Sequence, residues 1–549
     1  MRILIFHGYL LAGTGSNVYN ARLAAAFVRQ GHEVHLLCQD RHPERQPFVD
    51  VVADWDGGRL QLREIARARA LEGGEPGAVS GGSCTVYRPD IGGLLPVYVA
   101  DRYEGLRART FAECSEAEVE AYLGANVAAV REIAALVSPD VALANHLVMG
   151  PAILARALEG KVPYAVKVHG SALEYTVKPE PERFLPYARE GLREARGILV
   201  GSNHTATSLW EAFADAEVER RTRLGPPGVD VERFAPRERP EAAAALAALA
   251  ARLRGVGEDE EASPSGDTPK AADGDAFARD ERAAGTALAR LDLDRDRPVA
   301  FVGKLIVSKG VDLLLAAWPL VLEDVPDARL VVVGFGAYRA GLERLRDALR
   351  EGDLERAREI ARAGRSLEAD PELASPPAEA KPLRHLLAFL DRLHGAERER
   401  YVAAARALGE RALLTGRLEH DELAELLPAC EALVVPSTFP EAFGMVAAEG
   451  AACGALPVSA AHSGLAEVSE ALARAVPAAA AGLLSFPVDD GAVPAIAQRL
   501  VGWLTAEPSL REETRAGLVE TVRERWSWDG VARNVVAAAR GRLEGLALP

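Results

Sequence analysis

Short, almost unbroken apolar runs alternate with stretches of helical periodicity along this chain, and the alternation occurs twice. In the first half the runs are Ile3–Phe6, Glu33–Leu37, Val141–Ala144, Tyr164–Val168 and Ile198–Val200. In the second they are Val299–Val302, Arg329–Val333, Ala412–Leu414, Ala432–Val435, Ala455–Ser459 and Gly482–Ser485. Strands apolar on both faces and separated by helices belong to parallel sheets covered on both sides. Two such series predict an α/β chain of two doubly wound, Rossmann-like domains. Open sheets of this kind bind ligands at the carboxyl ends of their strands, so the domains are expected to face each other with those ends across a cleft.

The turn-rich Gly225–Asp230 marks the boundary. The expected domains are 1–225 and 226–520, with a C-terminal helix in 521–549 that packs back toward the first. Two stretches interrupt the second domain. Residues from about 255 to 285 carry Glu258–Glu261, Ser263–Gly266 and Asp273–Asp275 with few large apolar residues, and read as a disordered or loosely held insert. Residues from about 350 to 406 read as exposed helices. Their stripe of Leu383, Leu386, Leu387, Leu390 and Leu393 fits a small core of the insertion's own or a docking surface for a partner.

A formal charge of −16 and a pI of about 5.4 disfavour nucleic acid as a partner, since phosphate contact needs a basic surface. Five cysteines without paired or metal-ligand spacing fit a reducing cytosol. No run of 18 apolar residues predicts a membrane span, and Met1–Phe6 reads as a buried strand rather than a signal peptide.

Chemistry-bearing residues fall just after the predicted strands. Glu441 and Glu449 flank Ala442–Ala448 behind the strand Ala432–Val435. A helix starting near Glu441 or Phe443 would offer unpaired N–H groups to a diphosphate. It would also place the two carboxylates on one face about 12 Å apart, at 1.5 Å per residue. That suits two hydroxyl-bearing rings on either side of a diphosphate; two surface glutamates on an amphipathic helix fit the spacing as well. Lys304 and Lys309, after Val299–Val302, can grip a diphosphate as two point charges. His169 follows Tyr164–Val168 and points into the crevice or caps a helix, and Glu174 is either a second polar group of that site or a first-turn helix residue. His7 and His146 stand at similar positions. Gly13 and Gly15 lie in a strand–helix turn but lack the third glycine of a dinucleotide fingerprint, Val18 standing there. No zinc-like cluster, Gly-x-Ser-x-Gly elbow or P-loop is present.

Taken in order, Gly31–Val34, His169–Ser171, Gly201-Ser202, Gly228–Asp230 with Phe234 and Pro236, Gly303–Gly310, Val331–Gly336, Gly416 with Glu422-Leu423, and Pro436–Gly450 resemble the family 4 retaining glycosyltransferases of GT-B fold. The resemblance implies an acceptor-binding N-terminal domain and a C-terminal domain that binds a nucleotide-diphosphate sugar. Glu441 matches the glutamate on donor-sugar hydroxyls, Glu449 the one on the ribose, and Lys309 the diphosphate lysine. Phe443, Gly444 and Met445 match the loop whose amides meet the sugar and diphosphate. His169 matches the histidine near the transferred sugar, and Gly15 lies in the loop near the donor phosphates. Lys304 stands where an arginine is commoner, and both inserts depart from the family pattern.

The implied reaction moves a sugar from its nucleotide diphosphate to an acceptor hydroxyl with retention of configuration. The acceptor is a saccharide, a lipid-linked molecule or a small molecule, and a lipid-linked one needs only peripheral contact at the inner membrane face. No cofactor and no essential metal are expected, because lysines do the cation's work. Asp292 and Asp294 have the spacing of a metal-binding Asp-x-Asp but read as loop. A non-catalytic binder of nucleotide sugars or glycans, an epimerase and a phosphorylase are the alternatives of the same fold.

Overall fold

The computed structural model describes residues 1–56, 58–65, 81–99, 106–261, 279–368 and 381–549. They form two compact units, one of Met1–Gly228 with Trp526–Pro549, the other Val229–Arg525.

The first unit holds strands β1 (Arg2–Phe6), β2 (Glu33–Leu37), β3 (Val51–Asp56), β4 (Arg59–Glu64), β5 (Ser83–Arg88), β6 (Leu94–Val97), β7 (Arg107–Thr110), β8 (Val141–Asn145), β9 (Tyr164–Val168), β10 (Gly197–Val200) and β11 (Thr222–Leu224). Nine build one sheet in the order β11-β10-β9-β8-β1-β2-β5-β3-β4, and β6 and β7 pair separately. Within the nine-stranded sheet every pairing is parallel except β3 with the edge strand β4. Both faces of β1 are buried: Leu4 and Phe6 enter one core, Ile3 and Ile5 the other. This double burial explains why the strands read as unbroken apolar runs. The helix Trp528–Ala539 covers the Ile3/Ile5 face with Val531, Ala532, Val535 and Ala538. A Cβ on Gly228 would lie 2.6 Å from the Trp528 ring, so glycine lets that helix sit so close.

The second unit holds β12 (Arg297–Val302), β13 (Ala328–Val333), β14 (Ala412–Gly416), β15 (Ala432–Val435), β16 (Leu456–Ala460) and β17 (Ser485–Phe486). They form an all-parallel sheet in the order β14-β13-β12-β15-β16-β17. The first strand in sequence, β12, is central; the chain fills one side through β14 and then crosses to β15. Both units are therefore doubly wound.

Several expectations need correction. The strands β3 to β7 and β11 go unanticipated, because β4, β7 and β11 are polar or short and lie toward the margins of their sheets. The insert at about 255–285 is not wholly loose: its described margins are helical, Arg239–Glu261 and Glu281–Leu288, the latter burying Ala284, Gly285 and Leu288. Residues 262–278, the rest of that expectation, lie outside the described residues. The second insertion is part of the unit's core rather than a separate one or a docking face. Leu383, Leu386, Leu390 and Leu393 are buried, Phe389 meets Tyr401 edge to face at 5.4 Å, and the Tyr401 hydroxyl donates to Ala316 O at 3.0 Å on the central helix Val311–Asp324. Residues 369–380 of this insertion also lie outside the described residues. No helix among the described residues is long and apolar enough to cross a membrane.

Candidate functional site

In the second unit the strand order reverses between β12 and β15, and this switch point is where an open parallel sheet binds its ligands. The loop after β12 carries Lys304 and a 3₁₀ turn, Val307–Lys309; the loop after β15 carries Ser437 and Glu441. Thr438 N donates to Ser308 O at 2.8 Å, so the two loops are joined by their backbones. Gly310 makes this approach possible. Its φ is +66°, and a Cβ there would lie 2.0 Å from Pro436 O.

Lys309 and Glu441 form an ion pair through Nζ and Oε1, and the Ser437 hydroxyl donates to the same Oε1 at 2.6 Å. Among the described residues, Oε2 of Glu441 has no such partner, so the carboxylate is fixed by one oxygen and presents the other. The backbone of Glu441 is gripped by the loop after β16. Its N–H donates to Ser463 Oγ at 2.9 Å, and its carbonyl accepts from Gly464 N at 2.9 Å. His462 completes the frame, with Nε2 2.8 Å from Ser437 O and Nδ1 3.0 Å from Ser463 Oγ.

This grip corrects the expected helix. The helix runs Met445–Ala452, with Gly444 as its cap, so Glu441 lies outside it and does not share a helical face with Glu449. Glu441's carbonyl, which would accept the first intrahelical bond of a helix begun there, is instead bonded by Gly464 N. Phe443 lies in the irregular segment and Met445 opens the helix. Glu449 is 4% exposed, and its Oε1 is 2.8 Å from His420 Nε2. The His420 ring in turn lies 4.7 Å from that of Phe234. Lys304 Nζ stands 6.0 Å from the centre of the Phe335 ring. Sequence reasoning missed Ser463, His462 and His420. The first two follow β16 as Lys304 follows β12, and that position was their available signal; His420 had none.

Behind the lysine loop, Asp312 opens the first turn of the central helix, 3% exposed, with Oδ1 unpartnered. Burial pushes its carboxyl up to about 7. A folded-state value above the unfolded one means stability that is full below the unfolded value of 3.8 and lost as pH rises to about 7. Asp312→Asn is therefore expected to raise the melting temperature more at pH 8 than at pH 5; an equal shift at both would show that the carboxyl is not titrating there.

In the first unit the switch point lies between β1 and β8. His7, His146 and His169 meet there, with ring centres 5.8 Å apart for His7 and His146 and 4.9 Å for His146 and His169. Asn145 Nδ2 donates to Phe6 O, which turns its Oδ1 to accept from His169 Nε2 at 2.9 Å. Burial, chiefly, holds all three imidazoles below the usual histidine range, that of His7 at about 4. Tyr19 sits edge-on to His169 at 5.0 Å. Gly15 is the first residue of the helix Gly15–Arg29 rather than a loop residue. Glu174 is not a companion of His169: it pairs with Lys178 at 3.0 Å and accepts from Ser208. Among the described residues no group of three His, Cys, Asp or Glu is placed to hold a metal ion.

Residues 14–225 match the family described as glycosyl transferase 4-like domain, and residues 386–501 match glycosyl transferases group 1, together more than half of the chain. A D-inositol 3-phosphate glycosyltransferase of Segniliparus rotundus is 30% identical over 264 residues, which are 48% of this chain and 44% of that protein. The match thus spans less than half the length of this relative. Among solved structures, sucrose-phosphate synthase of Thermosynechococcus elongatus superposes with a TM-score of 0.53 at 18% identity, covering 98% of both chains. Anabaena HepE, solved with UDP and glucose, superposes with a TM-score of 0.50 at 14% identity over 98% of this chain and 99% of its own. At such identities the superpositions speak for the fold. The two family matches show that the chain belongs to the glycosyltransferases of the family 4 type, and the doubly wound units and the superpositions give its fold as GT-B.

Proposed function

We propose that this chain is a retaining glycosyltransferase that moves a sugar from a nucleotide-diphosphate sugar to an acceptor hydroxyl. The observation that carries the reading is the Lys309–Glu441–Ser437 cluster at the switch point of the second unit. A fixed carboxylate with one oxygen presented suits sugar hydroxyls, and an adjacent ammonium suits the departing diphosphate. The half-chain match to a protein named as an inositol phosphate glycosyltransferase supports sugar transfer as the reaction class.

On this reading the second unit holds the donor. Glu441 binds hydroxyls of the transferred sugar, Glu449 the ribose, and the amides of Phe443, Gly444 and Met445 the sugar and diphosphate. Lys304 and Lys309 neutralise the charge that develops as the diphosphate leaves. The first unit holds the acceptor, with His169 near the transferred sugar and Gly15 near the donor phosphates. The acceptor oxygen bonds to the anomeric carbon on the face from which the diphosphate departs, and its proton passes to the departing phosphate oxygen. The protein supplies position and charge, and no metal or cofactor is needed. Five buried thiols, none in a disulfide, fit work in the reducing cytoplasm.

The test is a panel of UDP-, GDP- and ADP-sugars with saccharide and lipid-linked acceptors, read as released nucleoside diphosphate, with and without a chelator. Acceptor-dependent release that survives chelation is expected. Tight donor binding without transfer to any acceptor would mark a binding protein instead. Glu441→Gln should lower turnover by at least about tenfold, since about 1.4 kcal/mol of transition-state stabilisation is tenfold in rate. Unchanged turnover would remove Glu441 from its role, and an inverted anomeric product by NMR would remove the retaining assignment.

A further inference from the structure

The second insertion does more than fill the connection from β13 to β14. After the helices Arg339–Glu351 and Leu354–Ala363 the chain makes a 3₁₀ turn, Gly364–Glu368, and the carboxylate at its end reaches the loop after β12. Oε1 of Glu368 accepts a hydrogen bond from Val307 N. Val307 is the first residue of the turn Val307–Lys309. The amides of Lys309 and Gly310 bond inside the turn, to Ile306 O and Val307 O, each at 3.0 Å, whereas the Val307 N–H points out of it. Such an amide at the start of a turn needs an outside acceptor.

The base of Glu368 is itself anchored. Arg365 N donates to Lys381 O at 3.3 Å, and Leu383 N to Ala361 O at 2.8 Å, so the chain on either side of residues 369–380 is clasped together. Gly364, with φ of +53°, permits this: a Cβ there would lie 1.9 Å from Lys381 O. The Ser366 hydroxyl donates to Ala363 O at 2.6 Å and closes the turn. The loop that Glu368 meets is otherwise joined to the β13 loop by Leu305 N to Phe335 O at 2.6 Å and Tyr338 N to Leu305 O at 3.0 Å. Among the described residues, Glu368 is a side chain through which the insertion engages the segment between Lys304 and Lys309.

We propose that Glu368 is a positioning residue: by accepting the Val307 N–H it holds the turn that sets Lys304 and Lys309 against the donor diphosphate. The part concerning the donor rests on the proposed function. The holding of the turn does not. A hydrogen bond to an ionised carboxylate is strong enough for its loss to change a local opening or a binding constant by about tenfold.

The experiment uses the full chain with Glu368→Ala, Glu368→Gln and Val307→Pro. Glutamine keeps a carbonyl acceptor. Proline removes the N–H while fitting the first position of the turn, and it follows Ile306, whose φ of −132° and ψ of 153° already suit a residue before proline. Amide hydrogen exchange over Gly303–Gly310 is expected to quicken about tenfold in Glu368→Ala and to change little in Glu368→Gln. Affinity for the nucleoside diphosphate that binds best among UDP, GDP and ADP should fall about tenfold in the alanine variant and less than threefold in the glutamine variant. In a Val307→Pro background, Glu368→Ala should change that affinity no further.

Unchanged exchange in Glu368→Ala overturns the proposal. So does quickened exchange with equal or tighter nucleotide affinity, which would make the carboxylate neutral or a competitor of the diphosphate. An equal loss from Glu368→Ala with and without Val307→Pro overturns it as well, because the effect would not pass through that hydrogen bond. If the unaltered protein binds none of the three nucleotides, the donor reading fails, and the exchange measurement still decides whether Glu368 holds the turn.

Discussion

Lys309→Ala is expected to lower kcat by about 10²–10³-fold, the cost of removing one preorganised group that stabilises developing charge. Two effects combine. On the proposed function the departing diphosphate loses a cation at the switch point, and Glu441 loses the ammonium that holds its Oε1. The carboxylate would keep the Ser437 hydroxyl and its backbone anchors on Ser463 and Gly464, so the loop should stay folded. The loss should therefore appear in kcat with little change in the melting curve. Because Lys309 and Glu441 are partners, Lys309→Ala with Glu441→Gln should cost much less than the product of the two single losses. Full multiplication of the two effects would mean that the ion pair is not the working unit. A kcat within threefold of the unaltered enzyme would remove Lys309 from the donor site.

Gly310→Ala should be the most damaging single methyl in the second unit's site. Left-handed backbone costs a residue with a Cβ about 1–2 kcal/mol. Here the added carbon would also meet Pro436 O at 2.0 Å and Pro436 C at 3.0 Å, which are main-chain atoms at the exit of a central strand. They cannot turn aside as a side-chain tip could, so the β12 and β15 loops must part. A loss of at least about 3 kcal/mol in unfolding free energy is expected, with the donor site disrupted in whatever folds. Gly31→Ala is the matched comparison. Gly31 has φ of +78°, yet a Cβ there meets nothing within 4 Å, so only the backbone cost of about 1 kcal/mol should appear. Denaturant melts of the two variants separate the effects, and equal losses would show that the Pro436 contact is relieved cheaply.

How much of the site was legible follows from where each residue sits. Lys304, Lys309, Glu441 and His169 stand out as candidates because they follow buried parallel strands, whose apolar runs are plain in the sequence. The edge hairpin β3–β4 was missed: Arg59–Glu64 is almost wholly exposed and carries no apolar run. The helix start was misplaced by at least two residues because Glu441, Ala442 and Phe443 all tolerate a helix. The backbone of Glu441 is instead taken by Ser463 and Gly464, some twenty residues further on. Glu174 was offered to the His169 site from proximity in sequence, but a helical spacing of four turned it to Lys178 instead. The leucine stripe of the insertion correctly marked a buried face, but not what would cover it.

By itself the sequence determined the doubly wound class, the strands that lead to the ligand side, and the residue types at their ends. Those properties are local: apolar runs, periodicity, and a polar residue or glycine where a strand stops. Only the tertiary structure decided which ends meet. Strand order brings β12 beside β15, and from that adjacency come the Lys309–Glu441 pair and the approach of Gly310 to Pro436, while the insertion between β13 and β14 brings Glu368 to Val307. These contacts join residues 61 to 132 positions apart. No periodicity carries over such a distance, so they follow from the packing of the sheet and its insertion alone.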